Sequence, residues 1–586
     1  MNARLNCVFA NAFEVATSFS PPYEGGVGGG LRVIQTQKQF GRELAAAPLM
    51  AIPILPESAP FSASQRAYLN GFFAGLLNLD EGGKTGASNS AAETAPVEAD
   101  EEFPWHDASL ALDERLQLAQ EKPFPRVLMA AMAQLDCGSC GYLCQSYAEA
   151  LATGADKDIT KCSPGGKETK NKLKELMAQK PAENLVETLV ATPIFTTVEA
   201  NAPGEPSFSR DHPFPAPILQ IHPLTRKDSQ KDVRFVSFGL RGSGLKYEVG
   251  DSLGVFPENC GELVEEILAE LDATGDEPTH SPESRVIPSR VALAAAYVVN
   301  RASEEFIEAL SGLAAREDER EKLLELAQTD AGNYLEGCDV LDLLHDFPSA
   351  RPRSASHVGF LLSKLAPMRA RLYSISSSLK AHPDEVHLTV GMVRYARGGS
   401  SRARKGVAST FLGDRVLSGQ KVGVFVQPSH GFAPPKNGDT PLIMVGPGTG
   451  IAPFRAFLQE RVALGHRGKN WLFFGDQKRE TDFLYQTEIE NYLQNGHLTR
   501  LDLAFSRDQT QKIYVQHRMI EQGAELWRWL DEGGHFTVCG DASRMAKDVD
   551  AALHTVIQIH GGKSEEGARE YVAQMSKDGR YGKDVY

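Results

Sequence analysis

The chain is poor in several things, and each shortage excludes a class. No run of about 18 apolar residues occurs, so no membrane-spanning helix is expected. Positive charge is in deficit: the formal net charge is -15, which argues against nucleic acid or an anionic membrane surface as partner. The start, MNARLNCVFANAF, lacks a charged region followed by a continuous apolar core. A secretory signal is therefore not expected, and a cytoplasmic location is. Cysteine is scarce, with 8 in 586 residues, too few for a disulfide framework in a chain of this length. No internal repeat stands out.

What is present is 42% hydrophobic and 23% charged, an ordinary globular composition with length for three or four domains. The stretch VGPGTGIAPFRAFLQER at residues 445–461 follows PLIM, which reads as a buried parallel strand. Gly446, Gly448 and Gly450 remove side chains at every second position, and helical periodicity begins at Ile451. Strand, glycine turn and helix start make a cradle of backbone N–H groups for an anion, usually a nucleotide pyrophosphate. Beyond Thr440 the apolar runs PLIMVG, NWLFFG, LTRLDLAFS and HFTVCG alternate with helical segments, a parallel α/β pattern.

Earlier, APILQIHPLT, DVRFVSFGL and YEVGDSLGVFP carry strand signals, residues 258–345 are helical in pattern, and strands resume at RLYSISS and EVHLTVGMVRY. In RLYSISS, alternation puts Arg371 and Tyr373 on one face and Leu372 and Ser374 on the other. Arg371 suits a pyrophosphate held bidentately and Tyr373 suits packing against a flavin; a half-buried strand ending in a turn explains the same residues. KGVASTFL at residues 405–412 is a glycine turn entering a helix, a second diphosphate seat. Ser506, Arg507 and the run KIYVQ offer cations, hydroxyls and an amide suited to a ribose phosphate.

Four of the cysteines, Cys137, Cys140, Cys144 and Cys162, have the spacing C-x2-C-x3-C-x17-C, with a proline after the last. Three thiolates on a tight loop plus one distant thiolate form a frequent holder for a cubane iron–sulfur cluster. Four thiolates also suit zinc. The short glycine-rich triplet fits a cluster better than the paired knuckles of a zinc ribbon.

Residues from about 212 onward resemble the FAD and NADPH domains of the sulfite reductase flavoprotein family. That family sits within the wider diflavin reductases, which include cytochrome P450 reductase. The matching pieces run in family order: YEVGDSLGVFP, RLYSISS, LTVGMVRY, GVASTFL, VGPGTGIAPFRAF, NWLFFG, FLY, SRDQ, KIYVQ, GAELWRW, CGDASRMAKDV and RYGKDVY. The resemblance implies that Arg371, Leu372, Tyr373 and Ser374 bind FAD, with Thr389, Val390, Gly391 and Tyr395 nearby. Gly406, Val407, Ala408 and Ser409 would hold its diphosphate. Gly448, Thr449 and Gly450 belong to the nucleotide cradle. Ser506, Arg507, Lys512, Ile513, Tyr514, Val515 and Gln516 would select NADPH, Asp548 would contact the nicotinamide nucleotide, and Tyr586 would stack over the isoalloxazine. A hydroxyl, a thiol and a carboxylate frame the hydride-transfer point in the family, and the equivalents here are Ser374, Cys539 and Asp584. Taken one by one, these also suit a strand end, a buried apolar residue and a solvated tail.

The cysteine segment is similar to the small 4Fe–4S domain of ion-translocating electron-transport complexes and corrinoid iron–sulfur proteins, though CGSCGYLC is one residue shorter than their usual loop. Residues 1–210 contain no strand followed by a Ser/Thr/Gly phosphate loop, so no flavodoxin domain and no FMN are expected; the iron–sulfur module takes that place.

The expected architecture is multidomain: a small helical 4Fe–4S domain, an antiparallel β-barrel FAD domain with a helical insertion, and a C-terminal α/β parallel-sheet NADPH domain. In chain order this reads as a disordered leader at 1–45, a helical segment at 46–80, a linker at 81–104 and the cluster domain at 105–180. A second linker covers 181–211, the FAD domain 212–436 with its insertion at about 258–365, and the NADPH domain 437–586. The expected activity is electron transfer from NADPH through FAD and the cluster to a sirohaem sulfite reductase hemoprotein, reducing sulfite to sulfide. The alternatives are a general NADPH-dependent reductase of ferredoxin, flavodoxin or a cytochrome, and a zinc-stabilised, nucleotide-binding docking subunit.

Overall fold

The computed structural model describes residues 103–106, 110–134, 142–162, 164–179, 208–329, 334–398, 402–429 and 431–586. These all belong to one unit, Asp100–Tyr586. The leader, the helical segment at 46–80, the first linker up to residue 102, most of the second linker, and Cys137 and Cys140 lie outside the described residues.

Four short helices open the described chain: α1 (Leu112–Leu118), α2 (Phe124–Ala130), α3 (Cys144–Thr153) and α4 (Gly166–Ala178). In α3 the buried positions are Cys144, Tyr147, Ala148 and Leu151, the i, i+3, i+4, i+7 stripe of a helix with one inward face. Gly154 ends it in the left-handed region at φ 77°, a conformation that favours glycine. Cys144 and Cys162 lie in one apolar core with Trp105, Leu128, Tyr147 and Leu173.

A six-stranded antiparallel sheet follows, built from β1 (Phe214–Pro223), β2 (Val233–Gly239), β3 (Ser252–Val255), β6 (Arg371–Ser374), β7 (Glu385–Gly391) and β10 (Lys421–Gln427). Its order is β6-β3-β10-β1-β2-β7. The two edge strands meet at the antiparallel bridge Ile375–Leu388, and Ser376 N–H donates to His387 O at 2.8 Å, so the sheet closes on itself. Alternating residues such as Ile218, Val236, Leu253, Leu388 and Val424 fill the interior.

Between β3 and β6 the chain leaves the barrel for a helical insertion with its own core around Leu293, Phe306, Leu310, Leu341 and Leu361. The insertion is not wholly helical. A ribbon of β4 (Pro278–His280) and β5 (Val286–Pro288) interrupts it, with Pro278 and Pro288 opposite each other at its open end. A second ribbon, β8 (Arg394–Ala396) with β9 (Ala403–Lys405), splits the strand expected over EVHLTVGMVRY. The split has a local cause. Met392 N–H still bonds Asp232 O at 2.8 Å, one step beyond the Val233–Gly391 pair, but Val393 N–H turns to Ser409 Oγ at 3.1 Å and leaves the ladder. Helix α5 (Val407–Thr410) follows, widening into a π turn at Phe411–Arg415.

The last domain is a five-stranded parallel sheet ordered β13-β12-β11-β14-β15. Its strands are β11 (Leu442–Val445), β12 (Asn470–Asp476), β13 (Arg500–Phe505), β14 (His535–Gly540) and β15 (Tyr581–Val585). β11 and β12 are buried at every position, as expected of strands covered on both faces. After β11 comes a single 3-10 turn, Gly448–Gly450, and then α6 (Ile451–Ala463); after β14 comes α7 (Met545–Gly561). Trp471, Phe473, Phe474 and Trp529 have no exposure above 1%. Each large apolar side chain so buried contributes about 1.5–3 kcal/mol. No helix among the described residues is long and apolar enough to cross a membrane.

Candidate active site

Three strands from two domains converge on one cleft of about 760 Å³. β6 brings Leu372, Tyr373 and Ser374; β7 brings Thr389 and Gly391; the nucleotide domain brings Thr449, Asp584 and Tyr586. The key register is in the parallel pair β14–β15, where Cys539 stands opposite Asp584 and Gly540 opposite Val585. Ser374 Oγ donates to Asp584 Oδ2 at 2.7 Å, and Cys539 Sγ lies 3.6 Å from the same oxygen. A hydroxyl, a thiol and a carboxylate 210 residues apart in sequence therefore share one atom.

Burial sets the protonation of this trio. It raises the Cys539 thiol well above its ordinary range, and the Asp584 carboxylate beside it pushes the same way, so Cys539 is a neutral thiol at neutral pH. Burial also raises Asp584, and the donors from Ser374 and Cys539 only partly offset it. Tyr373 is raised by burial too, so its phenol stays neutral.

The glycine turn under the cleft tolerates no side chains at two positions. A Cβ on Gly450 falls 2.1 Å from Cys539 O, and one on Gly446 falls 2.5 Å from Gly450 O. Gly448 has φ +59°. Thr449 Oγ1 and the Tyr586 hydroxyl are 2.7 Å apart, and Tyr586 N–H donates to Gly540 O at 3.0 Å. Tyr586 remains 51% exposed, a ring tethered at both ends over the cleft mouth.

Other expected residues take different places. Arg371 and the turn 406–409 are not in the cleft wall; the turn adjoins it through Gly406 N–H to Val393 O at 2.8 Å and Val393 N–H to Ser409 Oγ, and Arg371 precedes the lining residue Leu372 on β6. Val407, Ala408 and Ser409 are buried at the start of α5. Val390 and Val515 put their side chains into apolar cores, so only their backbones face outward chemistry. Tyr395 lies apart from Thr389 and Gly391, in a second depression of about 640 Å³ with Tyr334 and Arg397. Ser506 and Arg507 follow β13 directly, with Ser506 N–H on Asp476 O at 2.9 Å and Arg507 N–H on Gln477 O at 2.8 Å. Lys512 and Tyr514 are exposed, Ile513 is half-buried, and Gln516 Nε2 donates to Asp548 Oδ2 at 3.1 Å.

The structure adds residues that the sequence reading missed. Lys231, Gln230 and Arg394 line the cleft, and the Tyr485 hydroxyl sits 2.7 Å from Thr389 Oγ1. The charged hairpin TRKDSQKD that carries Gln230 and Lys231 has no local signal separating it from any solvated turn.

Comparison with known proteins fits this division. Residues 206–411 match the FAD binding domain family and residues 444–551 match the oxidoreductase NAD-binding domain family. The sulfite reductase (NADPH) flavoprotein alpha-component of Bacillus subtilis is 47% identical over 388 residues, 66% of this chain and 63% of that protein. The Serratia proteamaculans protein of the same name is 39% identical over 448 residues, 76% of this chain and 72% of its own length. The Vibrio cholerae one is 43% identical over 392 residues, 67% and 62% of the respective chains. The chain thus spans under two thirds of the Bacillus subtilis relative. With an FAD-type barrel and an NAD-type sheet meeting at a Ser–Cys–Asp cleft, and with these identities, the chain belongs to the sulfite reductase (NADPH) flavoprotein alpha-component family.

Proposed function

We propose that this protein is an NADPH-dependent electron-transfer flavoprotein serving a sirohaem sulfite reductase hemoprotein, and that a 4Fe–4S cluster carries its electrons outward. The observation that supports this most is the convergence of Ser374, Cys539 and Asp584 where the barrel meets the parallel sheet. Arg371, Leu372, Tyr373 and Ser374 would hold FAD, with its diphosphate at 406–409. The turn 448–450, Ser506, Arg507, residues 512–516 and Asp548 would hold NADPH. Bound FAD supplies the exchange between two-electron hydride chemistry and single electrons. The chain's own part is geometric. Ser374 and Asp584 fix each other on opposite sides of the domain boundary, Cys539 packs beneath them as a neutral thiol, and Tyr586 covers the mouth against water.

The cluster reading draws on the pair of cysteines within the described residues. Cys144 and Cys162 are both about 8% exposed and share one apolar core, as two ligands of a buried cluster would. Gly165 fits the same picture: a Cβ there would come within 3.1 Å of Cys162 Sγ, so the backbone lies close over the sulfur. A bound cluster would supply one-electron transfer to a partner.

The test is an anaerobic preparation assayed for FAD, iron and acid-labile sulfide, for NADPH-driven dye reduction, and for sulfide production when mixed with a sirohaem subunit and sulfite. Cys144→Ser is expected to lose iron and keep FAD and dye reduction. Zinc in place of iron overturns the cluster assignment, and dye reduction absent from FAD-loaded protein overturns the reductase.

A further inference from the structure

The hairpin between β1 and β2 reaches out of the barrel onto the nucleotide domain. Arg226 N–H donates to Thr481 O at 2.8 Å, Ser229 Oγ bonds Asp482, and Arg507 bonds Gln230. The fourth link is an ion pair, Lys231 Nζ to Asp476 Oδ1 at 2.5 Å. It lies at the glycine turn: a Cβ built on Gly448 falls 3.6 Å from Lys231 Nζ and 3.8 Å from Asp476 Oδ2. Lys231 lines the cleft with its side chain 39% exposed, whereas the Asp476 side chain is fully buried. Asp476 Oδ1 also accepts from Gln477 N–H at 2.7 Å, but the buried Oδ2 has no hydrogen-bond partner. A carboxylate buried beside a seat for an anion is costly in itself, and its one evident use is to hold the ammonium.

We propose that Asp476 tunes the affinity for the pyridine dinucleotide downward by occupying Lys231, so that a pyrophosphate at the glycine turn meets a paired cation rather than a free one. The proposal rests on reading residues 446–450 as the pyrophosphate seat. The turn's N–H groups and the start of α6 already favour an anion there. A free ammonium would add to that attraction; the Lys231–Asp476 pair is neutral as a unit and adds little. Burial raises the Asp476 carboxyl and Asp482 nearby adds to the effect, while Lys231 and the Gln477 N–H pull the other way. A moderate affinity favours release of the oxidised dinucleotide after each turnover.

The experiment is equilibrium titration of the FAD-loaded protein with NADP+, which binds without reacting, followed by the flavin difference spectrum. Asp476→Asn keeps the shape and the acceptor for Gln477 and removes the charge. It is expected to tighten binding roughly fivefold, the scale of a partly exposed ion pair. Lys231→Met is expected to weaken it by a similar factor, and the double variant to fall between Lys231→Met and wild type. Asp476→Asn binding that is unchanged or weaker, at unchanged flavin content and melting temperature, overturns the proposal. If that variant folds poorly, a double variant tighter than wild type overturns it instead. Wild-type protein that shows no NADP+ binding overturns the pyrophosphate seat itself, a distinct result.

Discussion

At the scale of single residues, the chemistry of the cleft is set by what burial does to ionisable groups. Asp584 accepts from Ser374 and Cys539 on one oxygen, and that shared acceptor holds the two donors in place relative to each other. Removing the Ser374 hydroxyl frees the carboxylate and with it the register of the two domains at the reacting point. Ser374→Ala is therefore expected to lower kcat with NADPH about a hundredfold, the cost of a misplacement near 1 Å, with little change in the KM for NADPH. Stopped-flow flavin reduction measures it; a fall in dye reduction with the flavin-reduction rate intact would remove Ser374 from the hydride step. The types of these three residues were legible in the sequence because they sit in recognisable segments. Their meeting was legible only through the family resemblance, since it depends on Asp584 landing opposite Cys539 in a strand pairing that no local pattern announces.

At the scale of elements, the glycine turn between β11 and α6 was readable because strand, turn and helix follow one another directly along the chain. The reason for its third glycine was not readable. Gly450 is excluded from carrying a side chain by the carbonyl of Cys539, on a strand some ninety residues further on. Because the obstructing atom is backbone, it yields only by moving β14. Gly450→Ala is expected to cost about 1–3 kcal/mol by overpacking and to lower the melting temperature, besides weakening NADP+ binding. A variant that melts with wild type would show that β14 gives way freely. By the same logic β15 escaped the sequence reading: RYGKDVY offers a glycine and three charges, and it becomes a strand only because β14 presents a free edge. The ribbon β4–β5 escaped for the opposite reason, since its prolines read as loop.

At the scale of the whole molecule, the barrel and the nucleotide domain are joined by a polar seam. Arg455 of α6 donates to Ser376 O at 2.6 Å, pairs with Glu488 at 2.8 Å and reaches His387 Nδ1 at 3.3 Å; Ser378 Oγ donates to Glu460 at 2.5 Å. Since Arg455 can only donate, His387 Nδ1 accepts, and the ring's proton sits on Nε2, directed at Glu385 at 3.0 Å. His382, Glu385 and His387 thus gather ligand-type atoms within 4.8 Å, yet His387 has no lone pair left for a metal ion. Burial, reinforced by Arg455 and His382, pushes His387 down to about 3. The sign of the linkage follows. Unfolded chain takes up a proton on this imidazole below about pH 6.5 and folded chain does not. Stability falls as pH drops from there toward 3, by at most about 1.4 kcal/mol per unit from this group. Replacing His387 by Gln is expected to flatten that limb in chemical denaturation between pH 6.5 and 4, and an unchanged slope would assign the acid sensitivity elsewhere.

The 210-residue separation of Ser374 from Asp584 has a consequence for birth as well as for catalysis. At ribosomal speeds of about 5–20 residues per second, roughly 10–40 s pass between the synthesis of the two partners. During that interval the barrel's serine has no carboxylate partner. The trio is complete only once β15, the last strand of the sheet, has paired with β14 and carried Asp584 to Ser374.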